Sequence, residues 1–128
     1  MATTQERLAR FPATRKKMFP GQTEATVSPQ RKAFPQLFAL TEEVVLGEVW
    51  SRPGLDINSR SFCTMSVLTA LGRTEELKVH MGVALDLGIT KDQLEEMLVH
   101  LTVYCGYPAV MMASRVAVEV LRERGLVS

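Results

Sequence analysis

The chain has 128 residues, a net charge of +1 and 46% apolar residues. That much apolar chain argues against disorder and suffices for one domain with its own core. A charge so near zero excludes a global electrostatic pull toward nucleic acid or an anionic membrane, and no apolar run approaches the roughly 20 residues of a membrane span. The first residues, Met1 to Arg7, hold no apolar stretch of the kind a secretion signal needs. A cytoplasmic protein with neither nucleic-acid nor membrane partners is therefore expected.

Residues 1–28 read as an N-terminal arm ahead of a helical domain over 29–128. Gln5–Phe11 suits a short helix, and Pro12, Pro20, Gly21 and Pro29 punctuate the residues beyond it. Arg15-Lys16-Lys17 reads as a solvated basic face. Ser28-Pro29 reads as a cap and first residue of a helix reaching Trp50. On it Phe34, Leu37, Phe38, Thr41, Val44, Val45 and Glu48 share one face, which brings Glu48 near the apolar side. Ser51 to Asp56 is a turn fixed by Pro53-Gly54. Asp56 or Asn58 caps a helix to Leu71 that is apolar or small nearly all round. Such a helix needs cover on most sides, which in a chain of this size predicts oligomerisation.

Gly72 breaks that helix, and Thr74 is expected to cap the next, with Glu75 and Glu76 in its first turn. Leu77, His80, Met81, Ala84 and Leu85 form its apolar stripe, and Gly88 ends it. Thr90-Lys91-Asp92-Gln93 is a capping box for a helix to about Cys105. Pro108 opens a last helix that stops at Gly125. No strand alternation, repeat or low-complexity segment occurs. The expected fold is all-α, one domain of about six helices.

Residues 73–80 concentrate a cation, two carboxylates and one of only two histidines between nearly uncharged helices. Glu76 and His80 are four apart, so they stack on one helix face. A carboxylate there orients the imidazole and raises its basicity, giving a general acid/base pair; the plain alternative is a helix-stabilising surface pair. His100 reads first as a structural histidine. With Glu-x-x-x-His as the sole spacing signal and no third ligand, no metal is expected. Arg52, Arg60 and Arg73 each stand near a helix boundary, where they suit either a carboxylate site or ordinary ion pairs. Glu48 reads as a rim carboxylate paired with Arg52. Cys63 and Cys105 form no Cys-x-x-Cys, and both read as buried, reduced thiols.

Two stretches carry a recognisable pattern. One runs Gly47-Glu48-Val49-Trp50-Ser51-Arg52-Pro53-Gly54-Leu55, then Arg60-Ser61, then Leu71 to Leu77 and His80. The other is Leu98 to Ala109. Together they resemble the γ-carboxymuconolactone decarboxylase family over about residues 34–122. That resemblance implies the AhpD-like helical fold, which redox relatives use with a Cys-x-x-Cys ahead of a histidine. Set on His80, those cysteines fall on Arg73 and Glu76, so the dithiol route is absent. The family reaction removes CO2 from 4-carboxymuconolactone to give an enol-lactone in the β-ketoadipate pathway of aromatic catabolism. The resemblance implies His80, Glu76 and Glu48 as the catalytic groups. It implies Arg52, Arg73, Arg60, His100 and Tyr104 as substrate-binding groups. It also implies no cofactor, and a homo-oligomer, trimer or hexamer, acting on a small carboxylated lactone. Three alternatives stand beside it. They are another cofactor-free lyase or isomerase on a related lactone or enol, a thiol-dependent antioxidant enzyme using Cys63 and Cys105, and a non-catalytic oligomeric binding module.

Overall fold

The computed structural model describes residues 1–22 and 28–128, and these are helical with no strand among them. They form two compact units, Met1–Ile57 and Asn58–Ser128. Among the described residues no helix is long and apolar enough to cross a membrane.

In the first unit, α1 spans Thr4–Met18. Thr3 and Glu6 cap it reciprocally, each side chain accepting from the other's backbone N–H. The helix outruns the expected Gln5–Phe11 and passes through Pro12. Proline removes one helical donor there, a loss that tertiary anchoring offsets. Arg7 makes a two-point contact with Glu43 at 2.5 and 3.1 Å, and Thr14 and Met18 are buried. Arg15, Lys16 and Lys17 close the last turn, where the helix dipole favours cations.

The single helix expected over 29–50 is interrupted. Ser28 caps α2, Pro29–Ala33, as read, but Phe34 turns non-helical at φ −128° and ψ 63°. The cause is Pro35, whose ring disfavours helical backbone in the residue before it. A further helix, α3, covers Pro35–Leu40 and passes into a π-helix over Thr41–Val49. The Trp50 N–H donates to the Val45 carbonyl at 2.9 Å, the wider i to i+5 step. This winding changes which side chains face inward. Phe34, Leu37, Val44 and Val45 are exposed, whereas Leu46, Gly47, Glu48 and Trp50 are buried. The expected apolar face was therefore misplaced, with Glu48 its correctly placed member. α1 lies along this π segment.

The second unit contains α4 (Ile57–Leu71) from Asn58 on, α5 (Thr74–Asp86), α6 (Lys91–Cys105) and α7 (Tyr107–Glu123). α5 and α6 both pack on α7. Met65, Leu77, Met81 and Ala113 are wholly excluded from solvent at the centre, with Leu94 and Val120 beside them. Ala84, Ala113 and Ala117 keep the backbones close. Arg73, not Thr74, occupies the α5 cap position, and no side chain caps that end. The α5 C-terminus closes as read, with Gly88 at φ +89°. Its N–H donates to Leu85, and that of Ile89 to Ala84, the paired bonds that only a left-handed residue permits cheaply. The Thr90–Gln93 capping box is present. Exposed apolar side chains remain along α4 (Val67, Leu71) and α6 (Val99, Val103) of the single chain.

Candidate functional site

The polar patch of the second unit is built on α5. Arg73 and Glu76 are exposed at its first turn. One turn on, His80 is half-buried, flanked by Leu77 and Met81, both fully excluded from solvent. This follows from its place on the apolar stripe. Burial pushes the imidazole below the ordinary histidine value of 6.5, and the charge of Glu76 offsets part of that fall. At neutral pH the ring is therefore predominantly neutral, in a position where a charged substrate could recharge it. Glu76 thus acts on His80 only through its charge, with desolvation outweighing the carboxylate.

A titration tests this balance. In the folded protein the His80 ring proton, assigned by NMR against His80→Ala, is expected to titrate with a midpoint below 6.5. A midpoint at or above 6.5 would refute a desolvated ring. The linkage has a definite sign. The unfolded chain binds the proton first, so stability should fall as pH drops through 6.5 toward the folded midpoint.

The other candidates of this unit fall elsewhere on it. His100 and Tyr104 are both exposed, one turn apart on α6, with ring centroids 5.0 Å apart and planes tilted by 36°. They form an aromatic shelf and not a buried structural pair. Arg60 is half-buried on α4. Beside it Ser61 is completely buried, and its Oγ has no hydrogen-bond partner among the described residues. The sequence alone assigned Ser61 no role. A serine among apolar helix neighbours is a faint signal, because most such hydroxyls bond back to their own helix. Cys63 is exposed and Cys105 half-buried, both as free thiols. The expectation of two buried cysteines fails because Cys63 lies on the uncovered side of α4.

In the first unit, Glu48 on the π-helix accepts from Arg52 Nη1 at 2.9 Å. The pairing was expected, but the burial is lopsided. The Glu48 side chain is 11% exposed and that of Arg52 57%. Glu48 Oε2 is buried with no hydrogen-bond partner among the described residues. A desolvated carboxylate of this kind fixes its guanidinium in one place. Arg52 lines a cleft of about 440 Å³ that also contains Arg10, Thr14 and Lys17 of α1 and Trp50, Leu55 and Asp56. The α1 contribution was missed. Its signal was the spacing of Arg10, Ala13, Thr14 and Lys17, which is one face of a helix.

The geometry therefore forms three groups: Arg73, Glu76 and His80 on α5, His100 and Tyr104 on α6, and Glu48 with Arg52 in the first unit. Together these residue types can transfer a proton and hold carboxylates.

A family model described as carboxymuconolactone decarboxylase family matches residues 35–119. Over 80 residues the chain is 46% identical to a protein of Acinetobacter baylyi named 4-carboxymuconolactone decarboxylase, covering 62% of this chain and 60% of that protein. Over 74 residues it is 36% identical to a Metarhizium robertsii protein named nitrosuccinic acid decarboxylase, covering 58% of this chain and 52% of the relative. An uncharacterized 15.0 kDa protein of Paracoccus denitrificans is 31% identical over 94 residues, 72% of this chain and 70% of its own. For the two named decarboxylases, the match spans less than two thirds of the relative's length.

Proposed function

The chain belongs to the carboxymuconolactone decarboxylase family, and from that premise we propose that it is a cofactor-independent carboxy-lyase acting on 4-carboxymuconolactone or a closely related carboxylated lactone. The observation that carries this reading is the 46% identity with a protein named for that decarboxylation. The second named relative is also a decarboxylase.

The chemistry needs an electron sink and not a metal. When the C–C bond to the departing carboxylate breaks, its electron pair spreads through the ring C=C into the lactone carbonyl as a dienolate. The α carbon then takes up a proton. The protein must hold the remaining carboxylate, stabilise the developing oxyanion and supply that proton. His80 is our proton donor, with Glu76 raising its basicity against desolvation. Arg52 and Arg73 hold anionic groups, and Glu48 fixes Arg52. Arg60, His100 and Tyr104 complete the substrate-binding set. Met65 and Met81 are sealed in the core and back the patch without facing solvent. The exposed valines and leucines of α4 and α6 support a homo-oligomer, trimer or hexamer. A place in the cytoplasm and in aromatic catabolism is part of the same proposal.

The test is direct: the chelator-treated protein is incubated with 4-carboxymuconolactone and CO2 release is followed. Turnover that needs no added cofactor supports the reading, and no turnover of this or related carboxylated lactones refutes it. Thiol chemistry is separated by Cys63→Ser/Cys105→Ser. This double variant is expected to keep turnover within about twofold, because the proton-transfer groups are untouched. Loss of activity in it would move the function to the exposed Cys63.

A further inference from the structure

α5 is tied to α7 along one flank. Lys78, Gly82 and Asp86 recur one turn apart on that flank, Glu76 and His80 recur likewise on the other, and Leu77, Met81 and Ala84 form the buried stripe between them. Arg124, the cap residue at the C-terminus of α7, reaches across the first flank. Its Nη1 donates to Asp86 Oδ1 at 2.5 Å and its Nη2 to Oδ2 at 3.1 Å, a two-point grip. Nη2 also donates to the Gly82 carbonyl oxygen at 3.1 Å. Gly82 makes room for this approach, since a Cβ there would lie 3.2 Å from Nη2. The place of Arg124 is itself set by Gly125, whose φ of +67° lets the Leu126 N–H donate back to the Leu121 carbonyl. Lys78 meets Glu119 and Glu123 at 3.4 and 2.9 Å, but these side chains are 40–62% exposed, and such pairs hold little.

We propose that Arg124 is a positioning residue for His80: by gripping Gly82 and Asp86 it fixes the roll of α5 about its own axis, and with it the depth at which the imidazole sits. The role of His80 as proton donor rests on the decarboxylase reading; the grip rests on the distances above. The remainder of α5 resists a roll weakly. No side chain caps its N-terminus, and the stripe beneath it combines Leu77 with adaptable Met81 and small Ala84. Because the gripped flank and the His80 flank lie on either side of that stripe, a roll that moves one moves the other. Arg124 thereby acts on the proton donor from across the helix without touching it.

The His80 ring proton is titrated by NMR in the wild type, in Arg124→Ala and in Asp86→Asn, with Lys78→Gln as control. In both clasp variants the midpoint is expected to rise toward 6.5, because a helix free to roll lets protonation select the more solvated placement of the ring. Charge alone predicts otherwise: losing a cation raises the midpoint, whereas losing an anion lowers it. A rise in both variants therefore reports position. Lys78→Gln should leave the midpoint unmoved, since its partners are exposed. Asp86→Asn keeps the shape of the side chain and reads the same contact should Arg124→Ala fail to fold. On the lactone, kcat is expected to fall roughly tenfold in the clasp variants with KM little changed, because orientation is lost and no binding contact is. An unmoved midpoint overturns the proposal. So do opposite shifts in the two clasp variants, an equal rise in Lys78→Gln, or a raised midpoint with unchanged kcat. The two readings separate cleanly. Raised midpoints in a protein whose wild type turns over no lactone keep the clasp and remove the decarboxylase. Wild-type turnover with unmoved midpoints does the reverse.

Discussion

His80→Ala is expected to lower turnover of the carboxylated lactone by about 10²–10⁴-fold while the protein stays folded, the usual range for removing a positioned acid or base. The ring is half-buried beside Leu77 and Met81, so its loss leaves only a small space at the core edge. Circular dichroism and a thermal melt check the fold, and CO2 release checks the chemistry. The pH profile adds a sign. Because burial lowers the pKa of His80, little imidazolium is present at neutral pH in the free protein. If His80 donates the proton, kcat/KM should rise as pH falls toward its midpoint below 6.5. If it accepts one, the profile falls over the same range. A folded His80→Ala with near-wild-type turnover would remove His80 from the mechanism.

Gly47→Ala should destabilise the first unit, although an alanine in place of glycine inside a helix normally stabilises by about 1 kcal/mol. A Cβ at Gly47 would lie 2.3 Å from the Arg7 carbonyl oxygen of α1 and 2.9 Å from that of Glu42. Both obstacles are backbone, so neither can rotate away. α1 must back off from the π-helix, loosening the Arg7–Glu43 contact and uncovering Thr14 and Met18. Overpacking of this kind costs about 1–3 kcal/mol. The expected melting shift is a loss of about 3–10 °C, together with faster proteolytic cleavage within α1. An unchanged or raised melting temperature would mean that α1 does not pack against Gly47 as described.

These two positions mark how far the sequence could be read. His80 was legible because helical period alone sets it among Leu77 and Met81. Gly47 was not, since a glycine inside a helical pattern gives no sign of which other backbone approaches it. Glu48 and Arg52 were correctly paired from their spacing, yet their unequal burial was invisible. Cys63 and Cys105 illustrate the opposite error. Apolar neighbours in sequence implied burial, but α4 turns Cys63 to solvent.

By itself the sequence determined the helical class, most of the caps and breaks, and the place of His80 on the apolar stripe of its helix. Those depend on interactions within a few residues: capping boxes, glycine at helix ends and the 3.6-residue period. Only the tertiary structure decided the rest. The π winding over Thr41–Val49 changes which side chains are buried, and no local propensity announces it. Packing carried α1 through Pro12 and set Arg10 and Lys17 across a cleft from Arg52. Desolvation, which depends on every neighbour in space, lowered the basicity of His80 below what its Glu76 partner alone would give.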